Sequence, residues 1–310
     1  MSNIIFIAFK NTAARTRRLA KELNAEILSY VEDFPYLFSM ICVTILILRK
    51  RPKAIFLQLT QGLPFAFLVL LKEILKFNLI VDMHTGFLVY NNIKGRLLNK
   101  PFVKFLRKVN LIIVHNETIK SIINQSLIKR VFVLKDPLLK NEIKELKIFP
   151  KFTIFTTLSF LGDEPLNSIK KLAEKLKDSA LFLYTSKKKV RIPNMINLGY
   201  LRYEDYLKIL KSADVVIAFT KREYTSLSLA FEAISFNKAL ICSKTNTLEE
   251  LFKNKVILAK NVDDFLLAIE KLKDKHYREE YEKSIKDVRE ELLKEEKLKI
   301  NYLKNMLAKL

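Results

Sequence analysis

The chain contains little glycine and cysteine, and these shortages exclude several classes of site. Only five of its 310 residues are glycine, and it has neither a G-x-G-x-x-G sequence nor a Walker loop. Dinucleotide-binding and P-loop sites are therefore poor candidates. The two cysteines, Cys42 and Cys242, lie in apolar runs without metal-ligand spacing, so we expect reduced core thiols in a cytoplasmic protein. We predict no metal and no cofactor.

Long apolar runs are also missing. The longest, at 36–48, has 13 residues, whereas a membrane-spanning helix needs about 20. The first residues enter an apolar strand without a preceding basic segment, so we expect no signal peptide. These features predict a cytoplasmic protein that is either free or peripheral at the inner face of the membrane.

Basic residues outnumber acidic ones, 55 to 33, which gives a net charge of +22. The lysines are spread along helices beside glutamates, and no helix-turn-helix, zinc finger or RNA-binding aromatic motif occurs, which argues against nucleic acid as a partner. The excess suits an anionic membrane surface or a diphosphate substrate. A lysine-rich, thermophilic proteome is the alternative explanation.

One predicted helix combines apolar character with a basic flank. Pro35–Leu48 is followed directly by Arg49, Lys50 and Arg51. Such a helix suits docking at the interface of an anionic membrane. Burial against a sheet, with a basic loop after it, is the alternative.

Strand-like and helix-like segments alternate along the chain, which predicts an α/β protein with parallel sheets covered by helices. We predict a first Rossmann-like domain at residues 1–137, a linker at 138–150, and a second Rossmann-like domain at 151–275. A helical segment, 276–310, has an apolar stripe at spacings of three and four. A short coiled coil is the alternative for this segment.

The segment 196–251 contains most of the candidate binding residues. It holds a strand that ends near Gly199, an apolar strand, the acidic residue Glu223, a Ser/Thr-rich helix start at Thr225–Ser228, and Glu232 on the second turn of that helix. A helix N-terminus offers amide groups and partial positive charge to a phosphate. A carboxylate further along the helix can accept hydrogen bonds from a ribose.

This order of residues resembles the nucleotide-sugar half of GT-B glycosyltransferases, in particular glycosyltransferase family 4. The resemblance implies two doubly wound domains that face across a cleft, with a C-terminal helix that crosses back to the first domain. The two glutamates lie one residue further apart than in the family pattern, and the family's basic pair after the first strand of the second domain is missing.

The resemblance also implies roles for individual residues. Amides of Thr225, Ser226, Leu227 and Ser228 would bind the diphosphate, Glu232 the ribose, and Glu223 the hydroxyls of the donor sugar. Gly199 and Tyr200 stand where the family contacts the base. Lys187, which follows a strand, is our candidate to offset the charge of the leaving group, and Arg222 is the second choice.

Two groups in the first half complete the predicted site. Asp82-Met83-His84-Thr85-Gly86 ends a strand and resembles the Asp-x-His-x-Gly segment of many family 4 enzymes, so His84 would act on the transferred sugar, or it caps a turn. Arg15, with its neighbours Arg17 and Arg18, would meet an anionic acceptor, or these arginines form an exposed helix face. Asp82 belongs to the same acceptor side. His115, which also ends a strand, is expected to be structural.

The resulting hypothesis is a hexosyltransferase. It would move a sugar from a nucleoside-diphosphate sugar to a glycan or lipid-linked acceptor with retention of configuration. A GT-B-like partner subunit without turnover and a sugar-nucleotide epimerase on the same fold are the alternatives.

Overall fold

The structure is a computed structural model that describes residues 4–9, 12–28, 35–90, 93–139, 143 and 149–309. These residues form two compact units. The first comprises residues 1–137 together with 295–310, and the second comprises residues 138–294. Leu138 and Leu139, which we predicted to lie in a linker, are buried, and Leu138 belongs to a core of the second unit. Most of the predicted linker lies outside the described residues.

The first unit contains a sheet of six parallel strands in the order β2-β1-β3-β4-β5-β6. Its strands are β1 (Ile4–Ile7), β2 (Glu26–Leu28), β3 (Ala54–Leu59), β4 (Asn78–Met83), β5 (Leu111–Val114) and β6 (Val131–Val133). Strands β3 and β5 are buried along their whole length, which explains why their sequences, AIFLQL and LIIV, are almost entirely apolar. The sequence pattern predicts that the second strand extends to Tyr30, which lies outside the described residues.

The helices of this unit are α1 (Ala14–Glu22), α2 (Tyr36–Lys50), α3 (Gly62–Leu75), α4 (Ile93–Asn99) and α5 (Glu117–Ser121). The sequence pattern predicts one helix over 96–109, but the α-helix ends at Asn99 and a 3₁₀ segment, Lys100–Lys108, follows. Pro101 explains the change, because proline has no N–H for the helix and its ring crowds the preceding turn. Shorter 3₁₀ segments lie at Thr85–Phe87 and Gln125–Arg130.

The second unit repeats the architecture with a parallel sheet in the order β12-β11-β10-β7-β8-β9. Its strands are β7 (Thr153–Thr157), β8 (Leu181–Thr185), β9 (Ile196–Asn197), β10 (Val215–Ala218), β11 (Ala239–Ser243) and β12 (Ile257–Ala259). Its helices are α6 (Leu166–Leu176), α7 (Tyr203–Ser212), α8 (Ser228–Ser235), α9 (Asn246–Phe252) and α10 (Val262–Lys273). The two doubly wound sheets confirm the predicted α/β architecture.

A long helix, α11 (Lys275–Lys309), contributes to the cores of both units. Ile285, Val288 and Leu292 pack in the second unit, on the same side of its sheet as α8. Ile300 and Leu303 pack with α1 on one face of the first sheet. No helix of the described residues has the length and apolar character needed to span a bilayer. Cys242 is buried, as predicted, whereas Cys42 is only partly buried on α2.

Candidate active site

A cavity of about 520 Å³ opens at the carboxyl ends of three neighbouring strands of the second unit. Parallel sheets present their loops to ligands at this edge. The segments that follow β7, β8 and β9 line the cavity, together with the first turn of α7. The lining residues are Thr157, Leu158, Ser159, Leu161, Thr185, Ser186, Lys187, Lys188, Tyr200, Leu201, Tyr203 and Tyr206.

Two tyrosines of this lining hold the carboxylate of Glu232. The hydroxyl of Tyr203 donates to Oε1 of Glu232 at 3.0 Å, and the hydroxyl of Tyr206 donates to Oε2 at 2.5 Å. The two rings stack at 5.9 Å, because residues three apart on α7 share a face. Glu232 itself is only 6% exposed. The carboxylate that we predicted to bind ribose therefore lies beside the cavity in a network of hydroxyl donors.

Lys187 and Tyr200 lie together in the cavity lining. The ammonium of Lys187 sits 4.8 Å from the centre of the Tyr200 ring, a cation–π geometry. Gly199 has a φ of +72°, a backbone conformation that residues with a side chain rarely adopt. The turn at Gly199 directly precedes Tyr200. The Gly199 carbonyl accepts from the Ser186 amide and the Thr185 hydroxyl, so its backbone ties β8 to the loop. The contact of this turn with the base stays a prediction.

The helix start predicted at Thr225–Ser228 comes later than the sequence suggested. Leu227 is the extended N-cap residue, and α8 begins at Ser228. The first bond of the helix runs from the Ala230 amide to the Leu227 carbonyl at 2.9 Å, so the amides of Ser228 and Leu229 stand at its open end. Because β10 and β7 are neighbours at the point where the strand order reverses, this helix end flanks the crevice of the sheet.

Glu223 has a structural partner that we did not predict. Its carboxylate accepts from the Asn246 amide at 3.1 Å, and from the amide and hydroxyl of Thr247 at 3.2 Å each. Glu223 thus caps the N-terminus of α9, where a negative charge also meets the helix dipole favourably. This cap accounts for an acidic residue at this position without a sugar contact.

In the first unit, a buried ion-pair network joins α1 to the ends of β4 and β6. Arg15 Nε lies 3.0 Å from Asp82 Oδ2, and Nη1 lies 3.0 Å from Asp136 Oδ1. The guanidinium also donates to the carbonyls of Lys135 and Leu134, at 2.8 and 2.9 Å. Arg15 is 5% exposed. Arg15 therefore does not lie on an exposed helix face, since Nε, Nη1 and Nη2 each donate to internal acceptors. Its contact with an anionic acceptor stays a prediction.

Two histidines adjoin this network. The rings of His84 and His115 meet edge to face at 5.1 Å, and His115 Nε2 lies 3.8 Å from Asp82 Oδ1. The Nε2 atoms of both histidines are buried without a hydrogen-bond partner among the described residues. His84 starts a 3₁₀ turn through its backbone carbonyl, while its side chain does not cap that turn. The alternative role of His84, capping a turn, therefore does not account for its imidazole side chain.

Burial controls the charge of these groups. It lowers the pKa of His84, and with the Arg15 charge it lowers the pKa of His115 to about 4. Both imidazoles are therefore neutral at neutral pH, and each offers one donor and one acceptor. Burial is the largest influence on Asp82 and opposes its ionisation, but the charge and hydrogen bond of Arg15, with His115 and His84, together outweigh it and hold the pKa of Asp82 below its usual value.

Asp82, His84 and His115 are the one group with metal-ligand geometry in the described part of the chain, and their ligand atoms lie within 4.8 Å of one another. The donor set does not fit a divalent cation. Arg15 Nε donates to both carboxylate oxygens of Asp82, at 3.1 and 3.0 Å, and already supplies the positive charge there. A metal at Asp82 would meet the guanidinium at close range, which like-charge repulsion disfavours.

Sequence reasoning missed three kinds of residue: the tyrosines that hold Glu232, Asp136, and the part that His115 plays in the cluster. A signal existed for each. Tyr203 and Tyr206 lie three apart at the start of an amphipathic helix. Asp82, His115 and Asp136 end or follow β4, β5 and β6, which are neighbours in the sheet, so their side chains meet at one edge.

Comparison with known proteins adds a sequence relationship to this geometry. Residues 167–299 match a protein-family model described as glycosyl transferase-like. The matched region contains β8 to β12 and so holds Lys187, Tyr200 and Glu232. No curated protein matches the sequence closely enough to count as a relative.

Solved structures resemble the whole chain at low identity. One is Alr3699/HepE from Anabaena in complex with UDP-glucose, at a TM-score of 0.75 and 10% identity, with 99% of each chain covered. Another is sucrose-phosphate synthase from Thermosynechococcus elongatus, at 0.77 and 12%, with 98% of each chain covered. The UDP complex of MnaA from S. aureus matches at 0.62 and 15%, covering 92% of this chain and 91% of that one. The chain thus has the GT-B fold, and its residues 167–299 are similar to the glycosyl transferase-like family.

Proposed function

We propose that this protein is a glycosyltransferase that takes its sugar from a nucleoside diphosphate. The observation that carries the proposal is the buried carboxylate of Glu232, held by two tyrosine hydroxyls beside a cavity in the glycosyl transferase-like domain. A carboxylate can accept hydrogen bonds from two hydroxyl groups at once, so the Glu232 carboxylate suits the paired hydroxyls of a ribose. HepE, a protein with the same fold, has been solved in complex with UDP-glucose. This complex supports a nucleoside-diphosphate sugar as the donor here.

In this proposal each element of the second unit has a task. The cavity beside Tyr200 and Tyr203 takes the nucleoside. The amides at the start of α8, Ser228 and Leu229, bind the diphosphate with the help of the helix dipole. Lys187 stabilises the negative charge that develops on the leaving diphosphate. Glu223 positions the loop before α8 by fixing it to α9.

The first unit supplies His84. We propose that its neutral imidazole hydrogen-bonds to the transferred sugar, and that Arg15, Asp82 and His115 fix its surroundings. The acceptor is a glycan or a lipid-linked hydroxyl compound, and the reaction retains the anomeric configuration, as the resemblance to family 4 implies. Within the glycosyltransferases, we propose that the protein is a hexosyltransferase.

The Glu232→Ala variant tests this assignment. A carboxylate that accepts from hydroxyls is worth roughly 1.5–3 kcal/mol, so nucleotide-sugar affinity should fall by about 10- to 150-fold in calorimetry. Glu232→Gln keeps one acceptor oxygen and should lose less. Because the tyrosine hydroxyls lose their acceptor in the alanine variant, thermal unfolding must show that the second unit still folds.

The matched control is Glu290→Ala, which removes an exposed carboxylate from α11 in the same unit. It should bind the nucleotide sugar like the wild type. Equal affinity of Glu232→Ala and Glu290→Ala would remove Glu232 from the binding site.

Product analysis separates the transferase from its rivals. A transferase consumes the donor only when an acceptor is present, apart from slow hydrolysis. A sugar-nucleotide epimerase converts the donor with no acceptor, and a partner subunit without turnover binds it and leaves it unchanged. The missing basic pair after β7 is what motivates that last rival. A nucleic-acid-binding protein would show steep salt dependence and no affinity for nucleotide sugars.

A further inference from the structure

The first unit presents an apolar surface on the helices of one face of its sheet. The connections through α2, α3 and α4 all cross the sheet in the same direction, so right-handed crossovers place these helices on a common face. Five large apolar residues on α2, three on α3 and three on α4 are exposed by 48% or more. We call this surface the apolar face.

The exposed residues form stripes on each helix. Ile41 and Ile45 lie four apart on α2, as do Leu70 and Ile74 on α3, and Ile93 and Leu97 on α4. Ile74 is 71% exposed and Ile93 is 79% exposed. Proteins rarely leave so large an apolar surface in water, so the apolar face indicates a binding surface.

Positive charge surrounds the apolar face. The sequence between residues 35 and 108 has twelve lysines and arginines, and its only acids are Glu73 and Asp82. Asp82 is buried, and Glu73 lies 3.9 Å from Lys108. Lys94, Arg96 and Lys100 are exposed on the segment that carries Ile93 and Leu97. The surface charge of these helices is therefore strongly positive.

We propose that the apolar face docks on the surface of a membrane that contains anionic lipids. Aliphatic side chains enter the boundary between headgroups and acyl chains, while the basic residues attract the headgroups. A second copy of this chain is a poorer occupant, because two equally positive faces repel each other. With 15 residues, α2 is shorter than the about 20 that a span needs, so the helices lie on the bilayer and do not cross it.

Basic residues on two segments adjoin the apolar face. In the flank after α2, Lys50 pairs with Glu26 at 2.5 Å, whereas Arg49 and Arg51 are exposed. No carboxylate pairs with Lys94, Arg96 or Lys100 within the described ranges. The attraction to headgroups therefore comes from α4 and the 3₁₀ segment after it as well as from the flank.

A single tryptophan provides a direct test, because the natural chain has none. In Leu97→Trp the new side chain replaces a residue that is 69% exposed on the apolar face. Its emission should shift to shorter wavelength when vesicles of phosphatidylcholine and phosphatidylglycerol are added. The control is Leu267→Trp on α10 of the second unit, 60% exposed, which should not respond. No shift in Leu97→Trp, or the same shift in both, overturns the proposal.

Charge is tested by sedimentation with the same vesicles. The triple variant Lys94→Ser, Arg96→Ser and Lys100→Ser should bind on the order of a hundredfold more weakly, since three charges near an anionic surface are lost. Changing exposed Lys171, Lys283 and Lys286 to Ser should have little effect. Equal binding of both triple variants, or equal sedimentation of the wild type with pure phosphatidylcholine, contradicts the proposal.

Self-association is the remaining outcome. A vesicle-free dimer in analytical ultracentrifugation that Leu97→Asn dissociates would assign the apolar face to a second copy and overturn the lipid assignment. A monomer supports the proposal. Vesicle binding needs no nucleotide sugar, so this result is independent of the proposed transferase. If both hold, a lipid-linked acceptor is favoured over a free glycan.

Discussion

Replacing His84 by alanine should reduce sugar transfer by ~10²–10⁴-fold and leave nucleotide-sugar binding unchanged. A positioned acid–base or hydrogen-bonding group contributes rate enhancements of this size. Donor affinity should persist because the proposed nucleoside cavity and Glu232 belong to the second unit, whereas His84 belongs to the first. The measurement is the initial rate of transfer at saturating donor, combined with calorimetry of the donor.

His276→Ala is the matched control, because His276 is an exposed histidine at the start of α11. It should transfer sugar at the wild-type rate. Wild-type activity in His84→Ala would leave the imidazole with a local structural role. Loss of donor binding in this variant would contradict the division of tasks between the units.

Replacing Arg15 by leucine should destabilise the protein by about 3–5 kcal/mol. Breaking a buried ion pair by removal of one partner leaves an uncompensated charge, and here two carboxylates, Asp82 and Asp136, lose their cation. Two backbone carbonyls lose a donor as well. Urea unfolding, followed by circular dichroism, measures the change.

Arg17→Leu serves as the control, since Arg17 is an exposed residue of the same helix. Its effect should stay within about 0.5 kcal/mol, as for most surface substitutions. A loss below about 1 kcal/mol in Arg15→Leu would mean that solvent reaches the network and compensates the carboxylates.

Much of the fold follows from the sequence, because the buried strands have mainly apolar sequences and several helices have amphipathic ones. The apolar strand that precedes Glu223 and the strand that ends at Asp82 both lie where the pattern predicts. Helix boundaries were less accurate. The α4 segment ends early because of Pro101, and α8 starts late because Leu227, an extended residue, forms its N-cap.

The chemistry of the site was only partly predictable. Residue type and order singled out Glu232 and His84, but the partners of a carboxylate depend on which elements become neighbours in the fold. Glu223 caps a helix that follows it by more than twenty residues, and Arg15 reaches the ends of two strands that are distant in sequence. Local patterns do not contain such long-range pairings.

Thermal unfolding of the wild-type protein with a panel of nucleoside diphosphates and their sugars tests the central claim most directly. A ligand at a hundred times its Kd stabilises the folded protein by about 2.7 kcal/mol. We expect at least one nucleoside diphosphate and its sugar to raise the midpoint by several degrees, and Glu232→Ala to reduce that shift. A panel in which no nucleoside diphosphate or nucleotide sugar shifts the midpoint at millimolar concentration would contradict a nucleotide-sugar site in this protein.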